Sequence, residues 1–148
     1  MYVFRSLRTV LVCVQVIALN QRLKVSTLEM RTCTFVVTYR DLPEGDNLLR
    51  HYQHLTARLF PKDNRPKDRV TELLKYKGHT DTLAAIQAWD MPKCPVNGLD
   101  LQKLDLRKGP VFAKLLNEVR EKWIESDFQS TQEELIEMIP GLLKDIKS

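Results

Sequence analysis

The sequence predicts an all-α protein, a multi-helix, bundle-like array of short helices, and three observations carry that prediction. Apolar residues recur at three- and four-residue spacing in one segment after another. Capping residues stand ahead of these runs, and glycine or proline closes them. No segment shows a convincing strand alternation, and no internal repeat is visible.

Met1 to Leu19 is rich in valine and leucine. Its β-branching favours a strand and its length a helix, so periodicity leaves both open. Val10 to Leu19 is nearly all apolar, follows Arg5 and Arg8, and precedes the first acid, Glu29. About ten apolar residues are too few to span a bilayer. Length and flanks fit a targeting segment, secretory or amphipathic, although Asn20-Gln21-Arg22 closes the run without a small-residue cleavage site. A buried helix is the structural alternative. Ser26 or Thr27 then caps a segment with Glu29 placed to complete a capping box. In Leu28 to Tyr39 the threonines and valines favour a strand by propensity. Leu28, Phe35 and Tyr39 nevertheless sit near helical spacing, and the expectation is a helix.

Leu42 to Asp46 is a turn whose acids read as caps, and Asp46 or Asn47 starts a helix with Leu48, Tyr52, Leu55 and Leu59 inward. Arg50, His54 and Arg58 fall on or near its opposite side. After a polar linker, Phe60 to Pro66, Pro66 opens a helix with Val70, Leu73 and Leu74 inward, and Gly78 ends it. Thr80 or Asp81 begins another, with Leu83, Ala84, Ile86 and Trp89 apolar. From Pro95 to Asp127 two glycines each head an apolar run. Gly98 precedes a short helix with Leu101 and Leu104 inward. Gly109-Pro110 precedes a long one, with Phe112, Leu115, Leu116, Val119 and Trp123 on one face. Ser130 and Glu133 read as a capping box for a last helix marked by Leu135, Met138, Ile139, Leu142, Leu143 and Ile146. Pro140-Gly141 predicts a kink or an end within it. These segments divide into an apolar stretch at 1–20, a helical body at 21–92 and a helical tail at 93–148.

The 148 residues carry a formal charge of +4, which permits an anionic partner without requiring one. Three cysteines with no metal-ligand or CxxC spacing favour unpaired thiols in a reducing compartment, with Cys94 inert. His51 and His54 lack a local third ligand, so zinc is not expected, and His79 reads as a turn or cap residue. Nucleophile elbows and phosphate-cradling glycine loops are missing. Asp100 and Asp105 are five apart, off a shared helix face, and do not form an ion-bridging pair. Trp89 and Trp123 read as packing residues. The cations are more informative. One group holds Arg50, Arg58, Lys62, Arg65, Lys67 and Arg69, and another holds Lys103, Arg107, Lys108 and Lys114. At Gly109 a helix amino terminus with its unpaired amides stands beside Arg107 and Lys108, which suits a phosphate oxygen. Structured RNA is held largely through phosphates and 2′-hydroxyls. A solvated face paired with nearby acids is the competing reading.

Pro95 to Leu104 (PVNGLDLQKL), Gly109-Pro110, and Leu115-Leu116 through Trp123 resemble the carboxy-terminal body and tail of class II CCA-adding tRNA nucleotidyltransferases, most nearly the animal mitochondrial form. Arg69 to Trp89 (RVTELLKYKGHTDTLAAIQAW) and Arg22 to Leu42 resemble the preceding helices, and the similarity covers most of 21–146. The resemblance implies a tRNA-gripping helical region that binds the acceptor and TΨC arms. The backbone contacts are expected at Lys103, Arg107, Lys108, Gly109 and Lys114, with Arg50 and Arg58 from the body. Mg²⁺ and CTP or ATP belong to the family's amino-terminal head. Its glycine-serine loop and paired aspartates, and the neck motif, have no counterpart here, so the chain alone is expected to be inactive and to hold no cofactor. Location is expected to be mitochondrial, with cytoplasm and nucleus as alternatives. A homodimer is admissible and a membrane partner is not expected. Asp105 stands where the family often has glycine, and Ala113 replaces another small residue. The rival reading is a helical scaffold or protein-interaction fragment without nucleic-acid binding.

Overall fold

A computed structural model describes residues 7–60, 62–104, 106 and 109–147, with side chains from Val14 to Ile146 within those limits. Every regular element among them is an α-helix: α1 (Leu7–Leu23), α2 (Thr27–Tyr39), α3 (Leu48–Leu59), α4 (Pro66–Lys77), α5 (Thr80–Ala88), α6 (Gly98–Lys103), α7 (Pro110–Glu125) and α8 (Gln132–Lys147). They group into two compact units, residues 1–89 and 90–148.

In the first unit α4 packs against α2, α3 and α5, and α1 packs on α2. The core joins Phe35, Tyr52, Val70, Leu73, Leu74 and Ile86. Val70 and Leu74 are fully buried, as their three- and four-residue spacing demands. Gly78 ends α4 at φ 77, a left-handed conformation that costs glycine nothing. The part of the amino-terminal segment that is described, which periodicity left undecided, is helical from Leu7 to Leu23. Ser26 and Glu29 form the capping box of α2: the Ser26 hydroxyl accepts from the Glu29 amide at 3.2 Å, and the Ser26 amide donates to the Glu29 carboxylate at 2.9 Å. The threonines of α2 fit the helix by donating their hydroxyls four residues back, Thr32 to Leu28, Thr34 to Met30 and Thr38 to Thr34.

Glu44, which read as a turn cap, caps no helix. Its carboxylate accepts from the Tyr52 hydroxyl of α3, pairs with Lys77 Nζ at the end of α4 at 2.5 Å, and takes His79 Nε2 at 3.2 Å. An ionised carboxylate only accepts, so Nε2 carries the proton. Burial alone would raise this carboxyl, but the bonds from Lys77 and Tyr52 and the charges of Lys77 and His79 hold it down at about 2. Burial and the adjoining carboxylate push the Tyr52 phenol up. His79 occupies the cap position of α5, but its side chain makes no cap bond and turns to Glu44.

The second unit packs α7 against α8 and α6 against α7. Leu101, Leu115, Val119, Trp123, Ile124, Leu135 and Ile139 are buried. The α7–α8 connection places Asp127 and Phe128 at φ 55 and φ 64, and the Phe128 ring meets Trp123 edge-on at 4.9 Å. Several expectations are corrected. Leu104, expected inward, is 43% exposed because it is the residue that terminates α6. The last capping box lies one residue later than expected, with Thr131 and Glu134 as the reciprocal pair. The Ser130 amide is drawn back to the Ser126 hydroxyl at 3.1 Å, which keeps Ser130 out of the helix start. α8 runs through Pro140 to Lys147 rather than ending there. Pro140 is exposed, where water can reach the carbonyl that its ring leaves without an intrahelical donor.

The Glu44 clasp sets a pH dependence with a definite sign. Its folded pKa lies below the ordinary carboxylate value, so its contribution is complete above about pH 4.5 and disappears as pH falls towards 2, with a ceiling of about 3 kcal/mol. Glu44→Gln is expected to cost about 1–3 kcal/mol at neutral pH. It should also flatten the acid limb of stability between pH 4.5 and 2, measured by urea unfolding across that range.

Candidate nucleic-acid interface

The second unit builds its basic end from α6 and the start of α7. Asn97 caps α6, its side chain accepting from Leu99 N at 2.8 Å and Asp100 N at 3.3 Å. The Asp100 carboxylate returns to the Asn97 amide at 3.0 Å. That backbone bond, with help from Lys103 and a Gln132 side-chain bond, holds the Asp100 carboxyl below its usual range. Asp100 is therefore structural, and its 7% exposure removes it from ion-bridging chemistry.

Lys103 stands three residues on, with Nζ 3.3 Å from Asp100 Oδ1 and its side chain 77% exposed. A pair this exposed is weakly held and can be exchanged for another anion. Gly109 is the first flanking residue of α7, its carbonyl accepting from Ala113 N at 3.1 Å, and no side chain caps this helix. Pro110 supplies no amide, so the Val111 and Phe112 amides face the helix end without a cap. Lys114 is exposed one turn further on. Arg107 and Lys108, the cations expected beside this end, and Asp105 lie outside the described residues.

Arg50 and Arg58 are exposed on α3 of the first unit, each with an interaction partner within the chain. Other members of that cationic group are structural. Lys67 Nζ donates to the Gln87 and Trp89 carbonyls at 2.9 and 2.6 Å and closes the end of α5. Arg69 Nε contacts Asp63, and both side chains are largely buried. Spacing could not have shown either, because their partners lie six to twenty-two residues away. Trp123 is buried and Trp89 packs against the first core, so neither presents a free stacking face. Burial pushes the Cys94 thiol up, which suppresses thiolate reactivity. Among the described residues no group of three or more His, Cys, Asp or Glu could hold a metal ion, and no helix is long and apolar enough to cross a membrane.

No family model matches the chain. It is similar to "CCA tRNA nucleotidyltransferase 1, mitochondrial" of Danio rerio, 38% identical over 125 residues that make up 80% of this chain and 28% of that protein. The proteins of the same name from Mus musculus and Homo sapiens are each 35% identical over 128 residues, 82% of this chain and 28% of theirs. Identity of this extent is homology. The chain spans 28% of the length of these relatives.

Gly109 has φ 170, extended backbone open to any residue, and a Cβ there would meet nothing within 4 Å. Gly109→Ala is accordingly expected to change stability by less than about 0.5 kcal/mol. Thermal unfolding checks this, and a substantial loss would mean that folding needs the glycine.

Proposed function

We propose that the chain belongs to the CCA-adding tRNA nucleotidyltransferases and is the helical region with which such an enzyme grips tRNA. The observation that carries this reading is 38% identity across 80% of the chain to a protein whose name states that activity. The architecture expected for such a region is an array of short helices like the carboxy-terminal part of the class II enzymes. The mitochondrial designation of the relatives supports action in that compartment. Lys103, Arg107, Lys108 and Lys114, with the uncapped amides behind Gly109, are the proposed phosphate contacts on the acceptor and TΨC arms. Arg50 and Arg58 are proposed to add contacts from the first unit. These groups read backbone position and shape rather than base identity, which suits an enzyme that must accept every tRNA. Nucleotidyl transfer itself, with its Mg²⁺ and CTP or ATP, is proposed to need family parts beyond this region, so the chain alone incorporates no labelled CTP or ATP.

The exposed apolar side chains of α1, with Val14 at 58%, Ile17 at 53% and Leu23 at 68%, favour a second reading, a protein-interaction module. Self-association indifferent to nucleic acid would support it.

The test is a tRNA binding titration across salt. Log affinity is expected to fall linearly with log salt, by about 0.7–0.9 per phosphate engaged. Replacing Lys103, Arg107, Lys108 and Lys114 together by alanine should lower the slope by about three. No detectable tRNA affinity at low salt overturns the proposal.

A further inference from the structure

Within the first unit, α2, α3 and the α3–α4 connection enclose a depression of about 590 Å³ whose wall holds Arg31, Arg58, Lys62 and Arg69 against a single acid, Asp63. That acid is already engaged. One carboxylate oxygen accepts from the Arg65 amide at 2.9 Å and the other contacts Arg69 Nε, and the side chain is 16% exposed. Asp63 therefore fixes Arg69 in place. The Arg69 side chain is 13% exposed and held through Nε, which leaves its two terminal amino groups outside that bond. Arg31 and Lys62 reach the same space from exposed positions. Tyr39 completes the wall, its ring 4.5 Å from the core residue Phe35, so one side of the depression is rigid. The neighbouring groove between α2 and α4 shares Arg31 and Arg69 with this depression and adds the acids Glu29, Asp68 and Glu72.

We propose that this depression is a phosphate-binding pocket for a ligand carrying two or more phosphates. Guanidinium groups offer paired donors that match phosphate oxygens. The volume falls within the range of small-ligand sites and is large for a single phosphate. A free nucleoside polyphosphate and an RNA strand offer the same chemistry. The pocket stands on its own geometry and is independent of the tail contacts proposed above.

Calorimetric titration of the whole chain with pyrophosphate, ATP, adenosine and tRNA tests it at low salt. Pyrophosphate and ATP are expected to bind saturably, with dissociation constants below about 1 mM. The double variant Arg31→Ala, Lys62→Ala should weaken both at least about tenfold, since each lost charged bond is worth that much. Lys93→Ala, an exposed cation outside both proposed sites, should leave them unchanged. Both altered side chains in the first variant are exposed, and an unchanged circular dichroism spectrum and melting curve establish that it folds. ATP binding far more tightly than pyrophosphate identifies a nucleotide as the source, and displacement of pyrophosphate by tRNA identifies an RNA strand; either supports the pocket. Absence of saturable pyrophosphate binding, equal binding by the double variant, or adenosine binding as well as ATP overturns it. Pyrophosphate binding without tRNA binding would sustain the pocket while refuting the tRNA grip.

Discussion

The first unit depends on one buried strip, the apolar face of α4. Val70, Leu73 and Leu74 lose essentially all their solvent contact, and each such side chain contributes about 1.5–3 kcal/mol of burial free energy. Because α4 meets α2, α3 and α5, those three helices reach their shared core through it. The polar contacts follow from that packing. Lys77 arrives at Glu44 because it stands in the last turn of α4. Lys67 reaches the end of α5 from the first turn, and Arg69 reaches Asp63 from the next position but one. The charged residues of α4 thus work at the edges of the strip, where they attach the flanking loops to it.

Much of this was legible in the chain. Pro66 and Gly78 bound α4 because ring geometry favours one end of a helix and left-handed backbone the other. Ser26 with Glu29 announced α2 in spite of its β-branched content, and tertiary contact together with threonine back-bonding overrode strand propensity. Local signals misled where an alternative local bond competed. The Ser130 amide preferred the Ser126 hydroxyl, and the last helix began a residue later. Pro140 stops a helix only if the orphaned carbonyl has no other partner, and at an exposed site water serves.

The candidate sites were legible to a different degree. The open start of α7 follows from the placement of Gly109 and Pro110. The division of the cations into structural and available ones does not, because it depends on partners distant in sequence. Lys67, Arg69 and Lys77 look like Arg31 and Lys62 in any composition count. Only the fold shows that the first three close carbonyls and carboxylates of their own unit. The acidic residues behave likewise. Glu44 read as a turn cap, yet its carboxylate joins the turn to α3 and α4, and Asp63 joins the α3–α4 connection to α4. Their charge is spent inside the protein, so the basic surfaces keep more positive potential than a neutral reading of the composition suggests.

The α7–α8 corner has a consequence of its own. Two successive non-glycine residues in left-handed backbone cost of order 1–3 kcal/mol each, and here the second carries an aromatic ring seated on Trp123. Shifting the chain by one position would unseat that ring and put a different side chain into the strained conformation. The corner therefore acts as a vernier stop: it sets the phase of α8 relative to α7, and Leu135 and Ile139 inherit their inward orientation from a ring several residues upstream.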